Sequence, residues 1–145
     1  MKKYILEQLR KKLSENTTPE LRFNDGRLNK LGPNTIFMDD EPIVDFGIGQ
    51  IGDVTVNGKT FSNSLFLQGG YNSAKQKQGY GRLGLEFIFN KLPKIENIIL
   101  QCYDTAYPFW KKMGGEIIFT KDIANSGKPL HTVIISRNTF SGNKH

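Results

Sequence analysis

The chain has 145 residues, 20 Lys+Arg against 14 Asp+Glu, a formal net charge of +6 and a single cysteine, Cys102. That length suits one core, which buries roughly two-thirds of the unfolded surface without staples, and the lone cysteine excludes an internal disulfide and a cysteine-rich metal site. No apolar run approaches the ~18 residues of a membrane span, so a soluble protein of a reducing compartment, the cytosol, is expected, with an anionic partner to match its charge.

The opening Met1-Lys2-Lys3-Tyr4-Ile5-Leu6 has the basic start of a signal peptide but not its apolar middle. Residues 2–15 read instead as an amphipathic helix, with Ile5, Leu9 and Leu13 at i+4 spacing beside Leu6. Its basic cluster, Lys2, Lys3, Arg10, Lys11 and Lys12, reads as a solvated face or as a phosphate contact. Residues 1–33 thus form a helix and an irregular stretch, with a short strand at Leu21–Phe23. Strands fill 34–72: Thr35–Met38, then Ile43–Ile48, then a hairpin whose Asn57-Gly58 accepts the positive φ of a type I′ turn. The returning strand runs from Ser64 to Tyr71, interrupted by Gly69-Gly70.

Residues 73–92 read as a loop and a helix, over about 82–92, stopped by Pro93. Residues 93–140 follow as strand, helix and hairpin. Ile95–Tyr103 is an apolar run of strand length, covered on both faces. Asp104-Thr105 can cap the next helix, with Pro108 in its first turn and Gly114-Gly115 at its end. Glu116–Thr120 and Leu130–Ser136 close the chain as a hairpin. The expected architecture is one α+β domain, a mostly antiparallel mixed sheet of six or seven strands flanked by helices.

The chemistry concentrates in Gln76-Lys77-Gln78-Gly79-Tyr80-Gly81-Arg82, between a strand and a helix start. Two glycines let the backbone approach a ligand, and the first helical turn offers unpaired N–H groups and the positive end of the dipole. With Lys75, Lys77 and Arg82 adding charge, this is a cradle for a pyrophosphate. Gly79-Tyr80-Gly81-Arg82-Leu83-Gly84 is also a literal G-x-G-x-x-G, with Asp104 about 20 residues on, as in a dinucleotide-binding unit. The polar residues before Gly79, the short remainder of the chain and the antiparallel character of the first half argue against that alternative.

Gln76-x-x-Gly79-x-Gly81 resembles the Q/R-x-x-G-x-G/A signature of the GCN5-related N-acetyltransferase superfamily, in the same strand–loop–helix setting. Downstream, Ala106-x-x-Phe109-Trp110-x-Lys112-x-Gly114 is similar to that family's A-x-x-F-Y-x-K-x-G helix, at the family's spacing. The resemblance runs from about Ser64 to Ser136 and implies an acetyl-CoA-dependent N-acetyltransferase needing no metal. It places the cofactor in a V-shaped opening between the glycine-interrupted strand and Ile95–Tyr103. The amides of Gln78, Gly79, Tyr80, Gly81 and Arg82 would hold the pyrophosphate, with Gln76 and Lys77 beside them. Amides near Gly70 and Tyr71, freed by a bulge, would meet the pantetheine arm and the thioester carbonyl. Phe109 and Trp110 would flank the cofactor or pack in the core. The acceptor would be an amine of a small molecule, a protein or an aminoacyl-tRNA; a homodimer and nucleic-acid contact stay open, and no membrane is involved.

The sequence departs from that pattern at Trp110, where the family has a thiolate-protonating tyrosine; an indole N–H cannot serve as that acid. Tyr103 and Tyr107 are the alternative acids, Tyr103 favoured because strand ends line the cleft. Asp45, Gln68 and Glu86 are candidate bases. Cys102 reads as a buried hydrophobe and His131 as isolated. The irregular stretch 16–33 in place of a second helix implies an open acceptor site. The non-enzymatic alternative is a coenzyme A-binding module that kept the cradle and lost the acid.

Overall fold

In the computed structural model, residues 20–74, 79–122 and 127–142 are described. The helix expected over 2–15 lies outside them. The elements are β1 (Leu21–Phe23), a 3-10 turn (Asn24–Gly26), β2 (Gly32–Met38), β3 (Glu41–Val56), β4 (Lys59–Ser73), α1 (Tyr80–Lys91), β5 (Asn97–Cys102), α2 (Tyr107–Lys112), β6 (Glu116–Asp122), β7 (Pro129–Ser136) and α3 (Arg137–Gly142). The seven strands form one sheet in the order β1-β2-β3-β4-β5-β7-β6. Every neighbouring pair is antiparallel except β4 and β5, which are parallel across the α1 crossover. This mixed α+β sheet is the expected architecture, and it differs from the all-parallel sheet of a dinucleotide-binding unit.

The hairpin expected at Asn57-Gly58 is present, with φ of 49° and 83° at those residues. Thr55 and Thr60 join hydroxyls across it at 2.8 Å. Two segments read as separate, Ile43–Ile48 and Val54–Val56, prove to be one strand of 16 residues, because its register shifts absorb the glycines between them. α3 differs from the expectation: Arg137–Gly142 carries no apolar periodicity, and among its described side chains Phe140 alone is buried in the core.

The alternate residues Val44, Phe46 and Ile48 of β3, Leu65 and Leu67 of β4, Ile98, Leu100 and Cys102 of β5, and Val133 and Ile135 of β7 form one buried cluster with Leu85, Ile88, Trp110 and Phe140. The described helices therefore share that face of the sheet. Burying four such strands and three helices supplies the main folding drive at roughly 25 cal/mol per Å² of apolar area. α1 lies close to the sheet because Gly84 faces the hydroxyl of Tyr71 and the Val44 side chain, where a Cβ has no room. Asp45, Gly49, Phe66 and Gln68 alternate with the core residues and line the opposite face.

Candidate active site

β4 and β5 pair only at Ser64–Asn97, Leu65–Ile98 and Phe66–Ile99. Beyond them the two strands no longer pair, and it is here, between Leu67–Tyr71 and Leu100–Tyr103, that the expected V-shaped opening would lie. Across the same stretch β4 carries a wide bulge on its other edge. Phe46 pairs with Tyr71 and Ile48 with Leu67, so Gln68, Gly69 and Gly70 lie opposite the single Gly47. Gly69 and Gly70 have φ of 86° and 112°, which a side-chain-bearing residue resists, and this is why a Gly-Gly pair interrupts the strand. A bulge leaves backbone groups outside the ladder, without their usual strand partners.

The second part of the site is the strand-to-helix corner. Gly79, at φ 74°, is the N-cap residue of α1, and its Cα faces open space. The first turn, Tyr80, Gly81 and Arg82, has no intrahelical acceptor for its amides. Gln76, Lys77 and Gln78, with Lys75, lie outside the described residues. The Arg82 side chain does not add charge at this corner. Its Nε pairs with Glu86 at 3.5 Å, its Nη1 reaches the Met113 sulfur and its guanidinium stacks on Phe140. Any contact it makes with a pyrophosphate falls to its main chain.

Behind this corner the aromatic residues of the second motif pack tightly. The Phe109 ring lies against Gly81, 2.7 Å from where a Cβ would stand, which explains the second glycine. Trp110 is 5% exposed and meets the Tyr71 ring edge-on at 5.3 Å. The Tyr71 hydroxyl donates to the Gly81 carbonyl at 2.6 Å, and burial pushes its pKa far above the ordinary phenol range. The rings of Tyr71 and Trp110 are thus core, and Tyr71 offers a ligand its backbone only.

The two candidate acids differ in surroundings. Tyr103, the residue that follows β5, is 41% exposed. Tyr107 is half-buried, and its hydroxyl donates to the Gly115 carbonyl at 3.3 Å. His131 is not isolated. It is 8% exposed, and its ring nitrogens bridge Asp104 Oδ1 at 2.5 Å and Thr120 Oγ1 at 2.9 Å. Asp104 does not cap α2, whose N-cap residue is Ala106, because its carboxylate is held by that imidazole. Cys102 is buried, and burial and the nearby Asp104 push its thiol pKa up, away from nucleophilic use. Among the described residues no group of three His, Cys, Asp or Glu side chains could hold a metal.

Asp45 and Gln68, distant in sequence, line one cleft of about 450 Å³ on the sheet face away from α1, together with Gly69, Gly70 and Asn72. Glu86 lies on the helix side, tied to Arg82. Thr35, Asp45 and Asn72 are in register across β2, β3 and β4, and the Thr35 hydroxyl donates to Asp45 Oδ1 at 2.7 Å. The rim is shaped by buried Asn34, which accepts from the Asn29 amide at 2.7 Å and donates to the Asn29 carbonyl at 2.9 Å. Thr35, Asn72 and the Asn34 rim had no signal in the sequence, since only the strand register brings them together.

No protein-family model matches the sequence, and no curated protein matches it. Solved structures do. The chain is similar to an aminoglycoside N(6')-acetyltransferase from Legionella pneumophila, with a TM-score of 0.60 and 14% identity over 83% of this chain and 71% of that one. It is also similar to the ribosomal-protein-S18-alanine N-acetyltransferase of Escherichia coli, with a TM-score of 0.52 and 11% identity over 78% and 73% of the two chains. A third is AAC(6')-Ib in complex with ribostamycin and coenzyme A, at a TM-score of 0.52 and 18% identity over 78% and 68%. At these identities the likeness is one of fold, and the fold they share is that of the GCN5-related N-acetyltransferases.

Proposed function

Starting from this GCN5-related N-acetyltransferase fold, we propose that the chain transfers an acetyl group from acetyl-CoA to an amine by direct attack. The observation that supports the reading is the confinement of β4–β5 pairing to three residue pairs, with the Gln68–Gly70 bulge on the unpaired part of β4 and the Gly79 corner tied to that strand by the Tyr71–Gly81 bond. Similar structures solved with acetyl-CoA or coenzyme A support the cofactor class. The corner amides bind the pyrophosphate, and the bulge amides polarise the thioester carbonyl. The amine lone pair attacks the carbonyl carbon, the C–S bond breaks, and the Tyr103 hydroxyl gives its proton to the departing sulfur. The amine proton leaves to water on the acceptor side. The open cleft there, where Gln68, Gly69, Gly70 and Asn72 are exposed, admits the acceptor.

Coenzyme A is expected to raise the melting temperature. Gly79→Val should abolish that shift, whereas Gly58→Ala, which strains a positive φ at the distant hairpin tip, should not. No shift at millimolar coenzyme A would overturn the reading. The burial of Trp110, and of Tyr107 with its hydroxyl already engaged, favours a second reading: a coenzyme A-binding module without turnover. Thiol release with a panel of amines separates the two.

A further inference from the structure

The cleft beside the bulge has a chemistry of its own. Asp45 is the one ionisable side chain among its described lining residues, so the pocket is locally anionic on a chain of formal net charge +6. The other side chains reaching into this face, Thr35, Gln68 and Asn72, are hydrogen-bonding. Phe46 and Ile48 line it only with their backbone, because their rings and branches are buried on the helix side. The carboxylate is held in place: Thr35 donates to one oxygen, and Asn72 stands in register on the neighbouring strand. The rim is fixed by the Asn34 bonds to Asn29. At about 450 Å³ the cleft falls within the range of small-molecule sites. Its one exposed apolar side chain is Pro33, and its charge repels a nucleic-acid phosphate.

We propose that Asp45, oriented by Thr35, selects small polar amines that carry a second cationic group. Asp45 receives the remote ammonium while the neutral amine at the other end meets the bulge at Gly69-Gly70. This rests on the reading of that opening as the acetyl-transfer site. The arrangement solves a problem of protonation, since an acceptor must shed a proton to attack, and a carboxylate at the reacting nitrogen would oppose that. A carboxylate at the far end of the molecule contributes binding without that conflict.

The test measures calorimetric binding of putrescine and of butylamine, which has the same chain and one charge, to the full chain with coenzyme A present. Melting shifts with coenzyme A alone are recorded in parallel. Putrescine should bind more tightly than butylamine, and rising salt should shrink the difference. Asp45→Asn should weaken putrescine by roughly tenfold and remove the preference, the loss expected of one charge-assisted contact. Thr35→Val should weaken it less, and both variants should keep the coenzyme A shift. Equal binding of the two amines, or a preference that survives Asp45→Asn, overturns the proposal while leaving the transfer reading intact. A neutral tetrapeptide amine binding as tightly as putrescine overturns it too. Loss of the coenzyme A shift in the unaltered chain, with the putrescine preference retained, overturns the transfer reading and leaves the cation site standing.

Discussion

Trp110 stands where the resemblance places an acid, and its ring is packed into the core. The indole packs against the rings of Tyr71 and Phe109, and Gly115 lies against its backbone, where a Cβ would stand 2.8 Å from the Trp110 carbonyl oxygen. Of the two tyrosines nearby, the one with the freer hydroxyl is on the strand end. Tyr103→Phe is expected to lower kcat by about a hundredfold, the low end for a lost general acid, with little change in KM for the amine. Tyr107→Phe, which removes a bond to Gly115 rather than a proton donor, should stay within a few-fold of the unaltered rate. Steady-state thiol release measures both, and equal rates for all three proteins would remove Tyr103 from the mechanism.

At the scale of elements, the position of α1 decides whether the corner and the opening meet. Its N-terminus is set by Gly79 and by the bond from the Tyr71 hydroxyl, and its C-terminus by a residue far along the chain. Arg137 donates through Nη2 to the carbonyls of Phe89 at 3.0 Å and Leu92 at 2.8 Å, and through Nε to Ile95 at 2.9 Å, with its guanidinium over the Phe89 ring. These are carbonyls of the last turn of α1 and of the link into β5, groups a helix end leaves without partners. Arg137→Met is expected to cost about 2–3 kcal/mol in denaturant unfolding, seen as a lower midpoint at unchanged slope. Arg137→Lys should recover little, because one ammonium does not span three carbonyls in a planar fork.

For the molecule as a whole, two buried groups link stability to alkaline pH. The native fold raises the pKa of the Cys102 thiol above its ordinary 9.0 and that of the Tyr71 phenol above 10.0, in both cases chiefly by burial. The native state therefore keeps protons that the unfolded chain gives up. The stability they contribute is complete below about pH 9 and declines as pH rises through that range, by up to about 1.4 kcal/mol per pH unit for each group. Denaturant melts across an alkaline series should show the decline, and Tyr71→Phe with Cys102→Ala should flatten it. A decline that the double variant leaves unaltered would show that other groups drive it.

What the sequence determined by itself was the local backbone: the Asn57-Gly58 turn, the Gly69-Gly70 interruption and the Gly79 corner opening a helix. These were legible because the sign of φ and the start of a helix depend on a few adjacent residues. The order of elements from Ser64 to Ser136 was legible for a related reason, since two motifs fell one helix and one strand apart. Only the tertiary structure decided that Thr35, Asp45 and Asn72 form one row, that Asp104 and His131 are partners rather than a cap and a solitary ring, and that Arg137 closes α1. Each of those contacts joins residues far apart in the chain, so it exists only after strand register is chosen, and register is set by the burial of whole faces.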